Sequence, residues 1–544
     1  MLTGRSLFRV LRWAALAAVA PVLWACNART LEKPVLKPES TYSKTFQQSV
    51  NRNVDLLFMV DDSSSMRASQ NNLLMNFPTF MTTLQSGMAG LPNIHVAVVS
   101  SDMGAGDGSI AGCNASGGNQ GVFQYTNRAP AGTDCTANAL NANQTYISNI
   151  AGQANYTGNL AQVFTCIAAL GEAGCGFEHQ FASVLRALGA DGSPPPQENQ
   201  GFLRPEAYLV VIFITNEDDC SAAPGNGPNG RVPLFDTSAN RDMASQLGPP
   251  QNFRCNEFGH TCPTGVLGPN RTAPHPDRTA PNNDVNATVN YDGCGSDDTE
   301  GYLLPVATPQ QTGVADLLKK LKTDQSQVLV AAITGAPTPY QVHWKNPSTA
   351  DMSCGAASCP WPEITHSCTA TDGSFADPGV RVAALVQAFG ANGLLLSICD
   401  QSFAGSLMRI GQLINAALVP PCVQGKVATK PGSTDPDCAV ISHTSNGSGG
   451  FIDGTIPWCN SNNNTPPCWS LMTGGCANGG YLVNVSQDPN ASSSTSQNAT
   501  VNCTLCTPMV DDPIRGCCWD GNAPTGTPAC CNPNPNTMQT ACAG

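Results

Sequence analysis

The chain has 544 residues, 41% of them hydrophobic, which is too long for one small domain and apolar enough for a substantial core. Its 26 basic residues against 39 acidic ones give a net charge of -13 with no basic run, which excludes nucleic acid as an expected partner. Charged residues are only 12%, and 52 glycines with 42 prolines imply much loop, a composition that fits an exported surface better than a cytosolic enzyme.

Arg5, Arg9 and Arg12 precede the apolar run Trp13 to Trp24, which is short for a membrane span and reads as a signal peptide over 1–26. The run ends Leu23-Trp24-Ala25-Cys26, similar to a bacterial lipobox in which Cys26 would be lipidated and would tie the chain to the membrane. Trp24 is bulkier than that motif usually carries, so cleavage by another peptidase stays open. Residues 27–50, polar and holding Pro34 and Pro38, predict a flexible tether.

Val54 to Val60 is an apolar run that stops in Asp61-Asp62-Ser63-Ser64-Ser65, a buried strand ending in a loop of oxygen donors. Asn72 to Met88 carries Leu73, Leu74, Phe77, Phe80, Met81 and Leu84 at helical spacing, and Asn93 to Ser101 is the next strand. A loop-rich insertion near 102–157 holds Cys113 and Cys135, and a disulfide is expected to pin it. Helices follow over Leu160 to Leu170 and Glu178 to Leu188. Ala207 to Thr215, apolar throughout, predicts a central parallel strand and runs into Asn216-Glu217-Asp218-Asp219.

After a second insertion near 221–301, the pattern resumes with a helix near Gly313 to Lys322 and a strand over Gln327 to Ile333. A third insertion near 335–377 precedes a helix over Arg381 to Phe389, a strand over Gly393 to Ile398 and a last helix over Phe403 to Leu418. This alternation over 51–418 predicts an α/β fold, a doubly wound and mostly parallel sheet with helices on both faces. Residues 419–544 read as a disulfide-rich, irregular region; 12 cysteines lie in 421–544. Of 25 cysteines, 24 remain once Cys26 is set aside, an even number that suits complete pairing. Zinc is disfavoured, because Cys503-x-x-Cys506 has no second matching pair or nearby histidine.

The spacing Asp61-x-Ser63-x-Ser65 after a strand resembles the metal-ion-dependent adhesion site of von Willebrand factor type A (VWA) domains. One carboxylate and two hydroxyls suit Mg²⁺ or Ca²⁺, with Mn²⁺ also possible, while the plainer reading is a helix cap. The resemblance implies two further ligands, a threonine from a loop between helices and an aspartate after a central strand. Glu178 stands at or near the first position, as a ligand or as a first-turn carboxylate. Asn216 occupies the second, so the acidic role shifts to Asp218, with Asp219 second, unless this cluster is a solvated turn. Cys166 and Cys175 flank the Glu178 loop and, if paired, would fix its shape.

The cysteine-rich VWA lipoproteins of myxobacteria show a similar pattern around this loop. If Asp61, Glu178 and Asp218 all coordinate, about three negative charges face two positive ones, which predicts tight ion binding and modest capture of a partner's carboxylate. The expected role is adhesion or protein–protein interaction at the cell envelope, exported and lipid-anchored, with an unidentified surface or extracellular protein as partner. A structural envelope protein with a purely structural ion is the alternative, and a metal-assisted hydrolase is a distant third. No catalytic residues are assigned, since neither a Gly-x-Ser-x-Gly turn nor a phosphate loop is present.

Overall fold

The computed structural model describes residues 39–47, 53–87, 91–105, 113, 117–130 and 132–223, and, with short gaps, 233–345, 361–418, 422–445, 451–506 and 515–517. The signal peptide, Cys26 and the first part of the expected tether lie outside the described residues, as do 518–544.

In chain order the main elements are β1 (Glu39–Gln47), β2 (Asn53–Val60), α1 (Arg67–Gly87), β3 (Asn93–Ser100), β4 (Ile147–Ile150), β5 (Gln153–Ala154), α2 (Leu160–Ala168), α3 (Gln180–Leu188) and β6 (Tyr208–Ile214). They continue with α4 (Phe253–Gly259), α5 (Val314–Lys319), β7 (Val328–Thr334), α6 (Val380–Gln387), β8 (Gly393–Ser397) and α7 (Ala404–Leu418). The elements expected from periodicity sit within a few residues of these bounds. That agreement follows from burial: every residue of β6 and β7 is buried, and an uninterrupted apolar run has no other place in a water-soluble sheet.

The fold is mixed α/β around a mostly parallel sheet of order β8-β7-β6-β2-β3-β4-β5. The first five strands run parallel, and β4 and β5 add antiparallel at one edge. Alternate residues of the strands feed two cores. Leu56, Phe58 and Val60 pack with α1, α2 and α7 on one face, where Phe77 and Phe164 stack at 3.7 Å. Leu57 and Met59 pack with α3, α5 and α6 on the other.

The first insertion is thus not wholly a surface feature. Ile147, fully buried, carries β4 onto the sheet. From β2 the chain passes to β3 on one side, while β6 lies on the other, so the strand order reverses between β2 and β6. A crevice opens at the carboxyl ends of strands where order reverses in this way.

The flexible tether over 27–50 is corrected in part: β1 pairs antiparallel with β14 (Gln497–Cys506), from Glu39 opposite Cys506 to Gln47 opposite Asn498. The irregular C-terminal region is also corrected. Before β14 come β9 (Cys422–Val423), β10 (Cys438–Ser445), β11 (Phe451–Ile456), β12 (Cys468–Thr473) and β13 (Tyr481–Ser486). They form two sheets, β1-β14-β10-β11 and β9-β13-β12, around a core of Val440, Ile456, Trp469, Val483, Val485 and Val501. Burial on β13 falls on Val483 and Val485 with partly exposed neighbours between, the two-residue period of a half-covered strand.

Eight disulfides join described cysteines, which marks an oxidising compartment. Among the described residues no helix is long and apolar enough to cross a membrane.

Candidate metal centre

Asp61 follows β2 directly, and its backbone N–H donates to Ile214 O at the end of β6, 3.0 Å away. This bond fixes the carboxylate at the point where the strand order reverses. The side chain is fully buried; Oδ1 accepts from Ser63 N–H at 2.8 Å and from the Ser101 hydroxyl at 3.2 Å, and Oδ2 accepts from the Thr215 hydroxyl at 2.7 Å. Burial raises its proton affinity above the ordinary carboxylate value, and these hydrogen bonds oppose that rise only in part.

Glu178 arrives from a different direction. The segment between α2 and α3 crosses from one face of the sheet to the other over the carboxyl edge. It is held there by Cys220 N–H to Glu178 O at 2.8 Å and His179 N–H to Ser101 O at 3.0 Å. Gln70 of α1 couples this segment to the Asp61 loop, donating from Nε2 to Asp61 O at 2.9 Å and to Gly171 O at 2.8 Å. Gly174 N–H donates to Asp62 O at 2.9 Å, so close that a Cβ on Gly174 would lie 2.3 Å from Asp62 Oδ1.

Cys166 and Cys175 are not paired with each other, which corrects that expectation. Cys175 is bonded to Cys113 and Cys166 to Cys135, so the first insertion clamps both ends of the segment. Beyond β6, Cys220 is bonded to Cys255 of α4, and the second insertion holds the other ligand loop.

The acids after β6 divide between two tasks. Asp218, the expected ligand, turns away from Asp61, and this is a correction. Its Oδ2 accepts from His260 Nε2 at 2.7 Å and from Arg381 N–H at 2.8 Å, and its Oδ1 accepts from Val382 N–H at 3.1 Å. It caps the start of α6, where unpaired N–H groups attract a carboxylate. Burial works against its ionised form, but the His260 contact and the Arg381 N–H outweigh burial and hold Asp218 below the usual carboxylate value. Asp219 does the same for α3, accepting from Phe181 N–H at 2.9 Å, and it pairs with the buried Arg381 at 3.3 Å.

Glu217 is the acid that faces the site. It hydrogen-bonds with Glu178 and is pushed up to about 8 by burial and by the charges of Asp377 and Asp61. Glu178 is raised well above its ordinary value by burial, then by Glu217 and Asp61. Asp62 is pushed up to about 7 by burial and by Asp61 and Asp102. The carboxyl edge is thus a field of carboxylates in which, among the described residues, no Lys or Arg acts on Asp61, Glu178 or Glu217, and Arg128 lies near Asp62. Asn216, standing where the resemblance implies an aspartate, bonds Ser65 Oγ through Nδ2 at 3.0 Å and Phe375 O at 3.1 Å.

Buried oxygens at this edge without a well-formed hydrogen bond include Ser63 Oγ and Glu178 Oε1. Such atoms are costly in a folded protein, and beside a carboxylate cluster they fit a hard divalent cation, which takes oxygen donors of this kind. Among the described residues no three His, Cys, Asp or Glu side chains converge to hold a metal by themselves, so an ion here would need the hydroxyls as well. Of the expected donors, the structure brings Asp61, Ser63, Ser65 and Glu178 to one edge and leaves out Asp218. The sequence pattern marked Glu217 only in passing, Thr215 and Ser101 only as strand ends, and Gln70 not at all. Glu217 carried a signal, as the first acid after the central strand, whereas the other three act through tertiary contacts alone.

No family model and no curated protein matches the chain. Solved structures similar to it include the pilus adhesin SpaC from Lactobacillus rhamnosus GG, at 12% identity and a TM-score of 0.27, over 85% of this chain and 40% of that one. The vWF domain of the type V pili tip protein Mfa5 from Porphyromonas gingivalis is similar at 14% identity and a TM-score of 0.28, over 69% of this chain and 99% of that one. The pilus adhesin RrgA from Streptococcus pneumoniae is similar at 11% identity and a TM-score of 0.21, over 86% of this chain and 58% of that one. The chain therefore spans well under two thirds of SpaC and RrgA, and at these TM-scores the likenesses add nothing to what its own geometry shows.

Proposed function

We propose that this chain is an exported, envelope-anchored interaction protein. Its type A-like, doubly wound domain binds one divalent cation, Mg²⁺ or Ca²⁺, and engages a surface protein across the carboxyl edge of the sheet. The observation that carries the proposal is the pair of buried oxygens without a well-formed hydrogen bond, Ser63 Oγ and Glu178 Oε1, beside Asp61 where the strand order reverses. Asp61, Ser63, Ser65 and Glu178 would hold the ion, with Glu217 bonded to Glu178 beside it. Once bound, it would offer a partner's carboxylate an electrophilic position. With two carboxylates among the donors and Glu217 next to them that position is weak, so the ion is held tightly and an acidic partner only modestly.

The eight disulfides support a location outside the reducing cytosol, and lipid attachment at Cys26 would place the domain at the envelope. The resemblance to cysteine-rich VWA lipoproteins of myxobacteria supports the same placement.

The test is calorimetric titration of metal-stripped protein with Mg²⁺ and Ca²⁺, followed by pull-down from native envelope with and without chelator. Ion binding that Asp61→Ala abolishes, together with chelator-sensitive partner capture, is the expected result. A purely structural ion is the second reading, favoured by the same surplus of carboxylate and by the disulfides that hold both ligand loops. It prevails if Asp61→Ala lowers the melting temperature and leaves partner capture intact.

A further inference from the structure

We propose that the C-terminal β unit carries a saccharide-binding cleft, built on Trp458 and Trp469 and separate from the metal edge. A cavity of about 460 Å³ opens in this unit, a size typical of small-ligand sites. The buried Val440 and Ile456 line its inner part, and Trp458 and Trp469 line one wall with ring centroids 4.6 Å apart in an edge-to-face arrangement. Trp469 is buried, while Trp458 is only half-buried and leaves ring surface available.

The wall is rigid for a covalent reason. Cys459, next to Trp458, is bonded to Cys468, next to Trp469. The same two segments are laced by Cys459 N–H to Trp469 O at 2.8 Å and Trp469 N–H to Pro457 O at 2.9 Å. The lining Cys438 and Cys503 are bonded to each other, which ties β10 to β14 beneath the cavity. A space framed in this way does not close by side-chain collapse.

Lys430, Asp437, Thr455 and Asn502 also line the cavity, and they choose the ligand class. An ammonium, a carboxylate, a hydroxyl and an amide offer donors and acceptors in several directions. A wholly apolar ligand would strip these groups of water and return nothing. A pyranose ring satisfies both halves of the site: its C–H face lies on an indole, and its hydroxyls meet the polar groups. Asp437 Oδ2 accepts from Arg515 Nη1 at 3.0 Å, which restrains its side chain.

The experiment is a titration of the full chain with glucose, galactose, mannose and N-acetylglucosamine and their β-linked disaccharides, read by intrinsic tryptophan fluorescence and by calorimetry. At least one sugar gives a saturable response, Trp458→Ala removes it, and Asn502→Ala weakens affinity by about tenfold, the loss of one well-placed hydrogen bond. Trp458→Phe, which keeps an aromatic face, retains binding and covers the case in which the alanine variant fails to fold. Asp61→Ala leaves the sugar response unchanged, so failure of the metal site and failure of the cleft are told apart. Silence toward every sugar overturns the proposal, as does a response that survives Trp458→Ala in folded protein.

Discussion

The two acids that follow Asn216, Glu217 and Asp218, sit side by side in sequence and do opposite work. Glu217 lies in the carboxylate field with Glu178 and Asp61, whereas Asp218 spends both oxygens on His260 and the start of α6. Glu217→Gln should weaken divalent-ion affinity by at least about tenfold in calorimetry, since it removes a charge beside the donor set. Asp218→Asn should leave ion affinity near wild type while costing about 3–5 kcal/mol of stability, the usual penalty for breaking a buried charged contact. If the two variants exchange these effects, the division of labour is wrong.

The same residues set a pH dependence. Without an ion, Glu217 near about 8 and Asp62 near about 7 hold protons that the unfolded chain, with carboxylates near about 4, has already lost. The folded state then binds more protons than the unfolded state, so stability falls as pH rises from the unfolded value through the folded one. His95 and His179, lowered to about 4 by burial, pull the other way, but only below about 6.5, where the unfolded histidines take up protons. From there to about pH 8 the carboxylates dominate; beyond it Lys322, lowered to about 8 by burial, pulls the other way. In chelator, the melting temperature should fall between about pH 6.5 and 8, and saturating Mg²⁺ or Ca²⁺ should abolish or invert that slope, because the ion takes the place of the protons. A slope in chelator that is flat or rising would refute the carboxylate field.

At the scale of elements, the site is an agreement between three loops, and two small features maintain it. Gly174 lets the Glu178 segment lie against Asp62, where a Cβ would come within 2.3 Å of a carboxylate oxygen. Gly174→Ala should cost about 1–3 kcal/mol, the price of overpacking, and should weaken ion binding as the segment lifts. Melting and calorimetry on the same samples check both. Cys113–Cys175 and Cys220–Cys255 hold the other two sides, three residues before Glu178 and three after Glu217. The double variant Cys113→Ser, Cys175→Ser should lower ion affinity more than it lowers the melting temperature of the β unit, which lies outside that covalent loop.

For the whole molecule, β1 joins residues far apart in sequence: Glu39–Gln47 completes a sheet whose other strands lie beyond residue 437. Removing residues 39–47 should leave the edge of β14 unpaired. Hydrogen exchange in Gln497–Cys506 should then rise sharply, and exchange in β2, β6 and β7 should stay as it was. Uniform deprotection of both regions would show instead that the two units unfold as one.

The sequence alone determined the parallel core and one side of the carboxylate-rich edge. Runs such as Tyr208–Ile214 are apolar at every position, and hydrophobic period is a local property that one strand or helix displays by itself. Asp61, Ser63 and Ser65 were legible for the same reason, since they lie within one turn of chain. The short strands of the C-terminal unit were not, because Asn, Pro and Thr around them mask a two-residue period that only facing sheets reveal. Tertiary structure alone decided which acid after β6 turns inward, which cysteines pair, and that a segment read as a tether is a strand. Each of those outcomes depends on partners contributed from distant parts of the chain, such as the N–H groups opening α6, the first insertion and β14, and proximity of that kind leaves no local mark in sequence.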